Sequence, residues 1–124
     1  MHEPPASRPR VLVVEDEPDT RAMTVDALGG QYDVVAVGTV AEALASARAA
    51  LPAAIVLDLG LGRESGWDLV RSVPEDAALR RVPIVVLSAT PPADPPPGVG
   101  PWAAYLMKPC PMARLREVLA SIVP

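Results

Sequence analysis

Short apolar segments that alternate with helix-forming segments predict an α/β fold built on a parallel sheet with helices on both faces. Residues 11–14 (VLVV) and 53–57 (AAIVL) are continuous apolar runs, and each is followed directly by an acidic residue, Glu15 or Asp58. Continuous rather than alternating hydrophobicity is typical of strands that are buried on both faces. Strands that alternate with helices favour right-handed β-α-β units, in which successive strands are parallel.

The first half of the chain follows this alternation closely. A strand over residues 10–14 precedes a helix that begins at Pro18, because proline suits the first turn of a helix. Gly29-Gly30 is a typical helix stop. We then expect a strand over 33–37 and an alanine-rich helix over 40–50.

The second half supplies three further strands and two helices. The strands are expected over residues 53–58, 83–87 and 103–107. A short helix over 67–72 is expected to end before Pro74, since a proline in a helix interior removes a hydrogen bond. An amphipathic helix over 112–122 closes the chain.

Composition limits the class of protein. A chain of 124 residues is long enough for one domain with its own core, and a single cysteine excludes an internal disulfide. The net charge of −4 argues against a nucleic-acid-binding surface. With no apolar leader and no long apolar run, we expect a cytoplasmic protein without a membrane segment. We also expect it to be a monomer. The polar, proline-rich residues 1–9 are expected to be a flexible lead-in to a domain over 10–124.

Polar side chains follow the predicted strands where each strand ends. Because ligands of open α/β sheets bind beyond the carboxyl ends of the strands, these side chains are expected to share one crevice; they are Glu15, Asp16, Asp58, Ser88 and Lys108. Clustered carboxylates without histidine or cysteine favour a hard cation such as Mg²⁺. A lysine and a hydroxyl opposite them could hold the oxygens of a phosphoryl group that a carboxylate accepts.

Four motifs at these strand ends resemble the response-regulator receiver domain (CheY-like) of two-component signalling. They are VVEDEP at 13–18, LDLGL at 57–61 with Gly66 beyond it, VLSA at 86–89 and YLMKP at 105–109. Each motif alone is weak, but all four occur in order over about residues 10 to 123. The resemblance implies a doubly wound, flavodoxin-like sheet of five parallel strands in the order 2-1-3-4-5.

The resemblance also implies a role for each matching residue. Asp58 is the phospho-acceptor; Asp16, Asp58 and the backbone carbonyl of Gly60 ligate Mg²⁺ directly, and Glu15 reaches the metal through water. Ser88, Lys108 and the backbone of Ala89 bind the phosphoryl group, while Ser88 and Tyr105 form the conformational switch. The Lys108-Pro109 peptide bond is expected to be cis.

By this resemblance, a sensor histidine kinase or phosphotransfer protein supplies the phosphoryl group, and a downstream protein reads the switch. The domain would catalyse only its own phosphorylation and dephosphorylation. One alternative is a docking module that kept the fold but works without phosphorylation. Another, a phosphatase with an aspartyl nucleophile, is disfavoured because such enzymes need an acid where Gly60 stands.

For some single residues a purely structural role is an alternative. The run Glu15-Asp16-Glu17 could be partly a solvated acidic turn, and Tyr105 could be a static packing aromatic. Cys110 is interpreted as a small buried hydrophobe. His2 is too isolated to indicate a site.

Proline is the compositional outlier, at 16 residues. Residues 91–101 contain six of these prolines, where the receiver family has a helix between its fourth and fifth strands. Each proline in a helix interior costs about 3 kcal/mol, so we expect that helix to be replaced by an extended, partly polyproline-II loop. Trp102 is the candidate to fill the space that the helix would vacate.

Overall fold

The computed structural model describes residues 8–61, 64–89 and 102–123. Its central sheet has five parallel strands. They are β1 (Arg10–Val14), β2 (Asp33–Val37), β3 (Ala54–Asp58), β6 (Ile84–Ser88) and β7 (Ala104–Met107). Their spatial order is β2-β1-β3-β6-β7. This order confirms the predicted doubly wound sheet.

Four helices are present in the described ranges: α1 (Pro18–Leu28), α2 (Val40–Ala49), α3 (Trp67–Glu75) and α4 (Met112–Ile122). Alternate residues of each strand face opposite sides of the sheet, so the core divides into two clusters. One cluster joins Leu12, Ile55 and Val86 to residues of α2 and α3. The other joins Val13, Val56 and Val85 to residues of α1 and α4. The sheet is therefore covered on both faces, as the uninterrupted apolar strands predicted.

Helix α1 begins and ends as predicted, with Pro18 in its first turn and Gly29 as its C-cap. Glu17 is the N-cap: its carboxylate accepts the backbone N–H groups of Asp19 and Thr20 at 3.2 and 2.6 Å. These hydrogen bonds lower the pKa of Glu17. The third acid of the run therefore caps the helix, which separates its role from that of Glu15.

The prediction that α3 ends before Pro74 is wrong. The helix continues to Glu75 with Pro74 inside its last turn. Val70 and Val73 are fully buried in the core on this helix. Their burial stabilises the last turn more than the hydrogen bond that Pro74 cannot donate.

Two further short strands, β4 (Gly60–Leu61) and β5 (Glu64–Ser65), pair antiparallel beyond β3. They lie between the predicted strand over 53–58 and the predicted helix over 67–72, where no element was expected, because a two-residue strand is too short to show any hydrophobic periodicity. The other boundaries differ from the predicted ones by a single residue: β3 starts at Ala54, β6 spans Ile84–Ser88, β7 starts at Ala104 and α2 ends at Ala49.

Two predictions concern segments at the edge of the described residues. The lead-in predicted over residues 1–9 includes Arg8 and Pro9, which are hydrogen-bonded to the domain. The Arg8 guanidinium donates to the Gly29 carbonyl at 2.8 Å, and the Pro9 carbonyl accepts the Asp33 N–H at 2.9 Å. The predicted proline-rich loop over residues 91–101 lies outside the described residues.

Across the described ranges, no helix is both long and apolar enough to cross a membrane.

Candidate functional site

The site lies at the carboxyl end of the sheet, where β3 ends in Asp58. Asp58 is 7% exposed. Its Oδ1 accepts the Gly60 N–H at 2.9 Å, while its Oδ2 is paired with the Lys108 ammonium. Both carboxylate oxygens therefore have a donor from a different loop, and this fixes the orientation of the carboxylate.

Lys108 reaches Asp58 because β7 ends beside β6. The Lys108 backbone N–H donates to the Ser88 carbonyl at 2.8 Å, which extends the strand pairing by one residue. Ser88 is 5% exposed at the end of β6. The structure thus brings together Asp58, Ser88 and Lys108, three residues that the sequence analysis assigned to one crevice. The peptide bond from Lys108 to Pro109 is cis.

The two acids after β1 differ sharply in environment. Glu15 is 5% exposed, whereas Asp16 is exposed at the start of the following loop. Burial, a hydrogen bond to the Asp58 side chain and the charge of Asp58 raise the pKa of Glu15 to about 7, although Lys108 opposes the shift. Glu15 thus lies against the Asp58 carboxylate.

Glu15 Oε2 is buried and has no hydrogen-bond partner among the described residues. A buried polar atom without a partner is costly unless a ligand or water satisfies it. The oxygen-only donor set is the type that Mg²⁺ prefers. In the described parts of the chain, however, no three histidine, cysteine or acidic side chains are grouped so that they could hold a metal ion by themselves. A metal here would therefore need backbone or water oxygens in addition to the carboxylates.

Arg21 is a member of the site region that the sequence analysis missed. Its guanidinium donates to the Glu15 carbonyl at 3.0 Å and lies close to Gly38 in the loop after β2. A side chain added at Gly38 would meet this guanidinium at 3.2 Å. The contact depends on the angle between α1 and the sheet, and no local pattern in the sequence reveals that angle.

Gly66 allows the start of α3 to pack closely against the backbone at the end of β3. A Cβ atom at Gly66 would lie 2.8 Å from Leu59 Cα and 3.2 Å from the Asp58 carbonyl oxygen. These distances are shorter than ordinary contacts, so a larger residue would push the N-terminus of α3 away from β3. Glycine is needed at this position because two backbone segments approach closely.

A cleft of about 460 Å³ opens beside the site, between α1 and the segment that leads into α4. Its polar end is formed by Glu15, Asp58 and Lys108, and the rest of its lining is mostly apolar, including Met23 and Met112. Cys110 also lines this cleft and is only partly buried. The interpretation of Cys110 as a small buried hydrophobe holds only in part: the side chain packs against the core cluster on the α1–α4 face, but the chain after Pro109 runs along the rim of the cleft and leaves it partly exposed. Partial burial raises the pKa of the Cys110 thiol.

Tyr105 lies half-buried on β7, next to Trp102. The Trp102 ring is 5.5 Å from the Tyr105 ring and 5.6 Å from the Trp67 ring, measured between centroids. All three rings pack against the core cluster on the α2–α3 face of the sheet. Trp102 thus covers core at this edge of the sheet, and Trp67 packs beside it.

Comparison with known proteins agrees with this geometry. TmoS, a sensor histidine kinase of Ectopseudomonas mendocina, is 40% identical over 86 residues, which are 69% of this chain and 9% of TmoS. MtrA, a DNA-binding response regulator of Mycolicibacterium smegmatis, is 36% identical over 83 residues, which are 66% of this chain and 35% of MtrA. The chain therefore spans only a minor part of these curated relatives.

Solved structures resemble the whole domain. The receiver domain of sensor histidine kinase PA1611 from Pseudomonas aeruginosa superposes with a TM-score of 0.82 at 27% identity, covering 94% of this chain and 98% of that one. That structure has a magnesium ion coordinated in its active-site cleft. The chemotaxis response regulator CheY4 of Vibrio cholerae gives a TM-score of 0.81 at 25% identity, covering 94% and 99%.

A family model also matches the chain. The model for the response regulator receiver domain matches residues 11–120, which include the whole central sheet except Arg10, the first residue of β1. The strand order and the buried Asp58 carboxylate at the end of β3 agree with this match. The chain therefore belongs to the response regulator receiver domain family.

Proposed function

We propose that this protein is a phosphorylatable switch in which Asp58 accepts a phosphoryl group from a phosphohistidine. The donor would be a sensor histidine kinase or a phosphotransfer protein. The observation that carries the proposal is the buried Asp58 carboxylate, held between the Lys108 ammonium and the Gly60 N–H at the end of β3. A carboxylate with fixed orientation beside a cation is suited to nucleophilic attack on a phosphorus atom.

In the proposed transfer, an Asp58 oxygen bonds to phosphorus while the bond from phosphorus to the histidine nitrogen breaks. Lys108, which pairs with the free carboxylate, then pairs with the new phosphoryl oxygens. The ammonium therefore keeps an anionic partner throughout the transfer. Attack by water later releases inorganic phosphate and restores the carboxylate.

Asp16, Asp58 and the Gly60 carbonyl are the proposed direct ligands of Mg²⁺, with Glu15 acting through water. The orphaned Glu15 Oε2 and the oxygen-only chemistry of these groups fit that ion. When bound, Mg²⁺ supplies positive charge between the acceptor carboxylate and the incoming phosphoryl group. The magnesium in the PA1611 receiver structure supports the same assignment here.

Ser88 and Tyr105 are the proposed switch. The buried Ser88 hydroxyl and the Ala89 backbone would donate hydrogen bonds to the phosphoryl oxygens. Displacement of Ser88 towards the phosphoryl group would leave space that Tyr105 can enter from the neighbouring strand. A local change in charge would thus bias a two-state surface.

In this proposal the protein is a monomeric signalling domain of the cytoplasm. It catalyses only its own phosphorylation and dephosphorylation. Its partners would be the phosphohistidine donor and a downstream protein, without nucleic acid or membrane. The apolar cleft beside Asp58 supports approach by a partner side chain of imidazole size.

Incubation with acetyl phosphate and Mg²⁺, followed by intact-mass measurement, tests the proposal. We expect one phosphoryl increment in the wild type, none in Asp58→Asn, and none when the metal is chelated. Glu17→Gln is the matched control, since Glu17 only caps α1. A wild type that gains no phosphoryl group under these conditions would refute the proposal and favour the phosphorylation-independent docking module.

A further inference from the structure

Both tryptophans of the chain lie in one row of rings, Trp67–Trp102–Tyr105. Adjacent ring planes are tilted by 48° and 58°, and the centroid distances of 5.6 and 5.5 Å are typical of attractive aromatic pairs. Trp102 is the middle member and contacts a ring on each side. It lies two residues before the start of β7, whereas Trp67 is the first residue of α3.

The row connects the two chain segments that carry the site. At one end, Trp67 follows Gly66, whose backbone is packed against Asp58 and Leu59. The Gly66 N–H also donates to the Leu59 carbonyl at 3.3 Å.

At the other end of the row, Tyr105 lies opposite Val86 in the pairing of β6 with β7. Three residues further along the chain, the Lys108 N–H donates to the Ser88 carbonyl. The aromatic row therefore bridges the acceptor segment and the segment that carries the proposed switch.

We infer that Trp102 is a positioning residue that holds Tyr105 in its phosphoryl-free position by packing it against Trp67. This inference rests on the proposed function. Tyr105 cannot change its rotamer and keep the present ring contact unless Trp102 moves with it. Removing the Trp102 ring therefore removes a contact that favours the phosphoryl-free state, and it shifts the equilibrium towards the other state.

A double-mutant cycle on the affinity for a phosphoryl analogue tests the inference. The probe is beryllofluoride with Mg²⁺, and the variants are Trp102→Ala, Tyr105→Ala and the double variant. We expect Trp102→Ala to bind the probe about two- to tenfold more tightly, the range that one aromatic pair contributes. In the Tyr105→Ala background the same change should alter affinity less than about twofold.

Trp102→Phe retains a ring and is the conservative control. It should restore most of the wild-type affinity, which a general loss of packing would not predict. An unchanged affinity in Trp102→Ala, a weaker affinity, or an equal effect with and without Tyr105 would each overturn the inference.

A second measurement remains available if Trp102→Ala fails to fold. Trp67→Phe leaves Trp102 as the only tryptophan, so the emission reports its surroundings alone. Beryllofluoride with Mg²⁺ should change this emission, and the additional change Tyr105→Ala should abolish the response. A constant emission during confirmed probe binding contradicts the coupling. A wild type that does not bind the probe at all refutes the proposed function and this inference with it.

Discussion

At the scale of single residues, the site is governed by how each charge is paired. Glu15 and Asp58 are buried next to each other, and burial, the hydrogen bond to the Asp58 side chain and repulsion from its charge, in that order, raise the pKa of Glu15. Lys108, which is partly exposed, supplies the compensating charge. Removal of the Lys108 charge and removal of the Asp58 charge should therefore have different effects on stability.

Lys108→Ala and Asp58→Asn should change stability in different directions in metal-free buffer. Loss of Lys108 leaves two buried carboxylates facing each other, which should cost about 1–2 kcal/mol, between the values for exposed and buried pairs. Asp58→Asn relieves that repulsion, and the Lys108 ammonium can turn to solvent, so stability should stay level or rise. Chemical unfolding curves measure both changes.

A large loss of stability in Asp58→Asn would mean that the carboxylate is primarily structural. Lys108→Met is a useful companion variant, because it retains the length of the side chain and removes only the charge. If Lys108→Met were as stable as the wild type, the described repulsion would not contribute to stability.

At the scale of elements, the helices depend on caps that the sequence contains in recognisable form. The Thr39 hydroxyl caps α2 by accepting the Glu42 N–H at 3.1 Å, and it donates to the Glu42 carboxylate at 3.0 Å. This arrangement satisfies a backbone donor that the helix itself cannot pair. By contrast, the end of α3 depends on a partner from another helix.

Thr39→Ala should destabilise the protein by about 1 kcal/mol, the usual contribution of a threonine N-cap. Thermal unfolding should show a decrease of about 4 °C in Tm. Thr39→Ser keeps the capping oxygen and should remain close to the wild type. Equal losses in the two variants would indicate that the methyl group, and not the cap, is responsible.

Asp76 links the end of α3 to α2. Its carboxylate accepts from Arg48 Nε at 2.8 Å and from the Ala78 N–H at 2.9 Å, and these hydrogen bonds, led by the one from Arg48, lower its pKa. Because the folded-state pKa is below the ordinary value of 3.8, the contribution to stability is present above that pH and is lost as the pH falls through the folded-state value.

Asp76→Asn should therefore lower the urea midpoint of unfolding at neutral pH, and the difference from the wild type should shrink on acidification below pH 3.8. Asp68→Asn is the control, because its exposed ion pair with Arg71 lies within one helix. A difference between Asp76→Asn and the wild type that is the same at all pH values would contradict an electrostatic origin.

At the scale of the whole molecule, the doubly wound topology places the carboxyl ends of β1, β3, β6 and β7 at one edge. Segments that are far apart in the chain then contribute to one site, as in the contact of Lys108 with Asp58. Binding of the proposed Mg²⁺ at this edge would be linked to the folding of the entire domain, since the unfolded chain has no such site.

Mg²⁺ should therefore raise the Tm of the wild type. At a concentration of ten times its Kd, the stabilisation is about 1.4 kcal/mol, or about 5 °C for a chain of this length. Asp16→Ala should remove most of the response and Glu15→Ala less of it, with Glu17→Gln as the control. The metal assignment would be wrong if the wild type showed no shift even at concentrations of tens of millimolar.

Much of this molecule follows from the sequence alone. The apolar runs, together with the proline and glycine residues that bound them, predict the strands of the central sheet and its helices to within a few residues. They do so because hydrophobic burial and backbone restriction act locally. The polar residues at the strand ends likewise indicate one crevice, since parallel strands share a carboxyl edge. The passage of α3 through Pro74 is different: only the burial of Val70 and Val73 against the sheet explains it.

The tertiary structure alone decided the relations between side chains. The contrast between buried Glu15 and exposed Asp16, which are adjacent in sequence, arises from the position of the β1 end within the fold. The approach of Arg21 to the Glu15 carbonyl and the row formed by Trp67, Trp102 and Tyr105 depend on how helices pack on the sheet. Such contacts join residues that are distant along the chain, so their energies have no signature in any local pattern. The sequence determines which residues can form elements, and packing determines which of them meet.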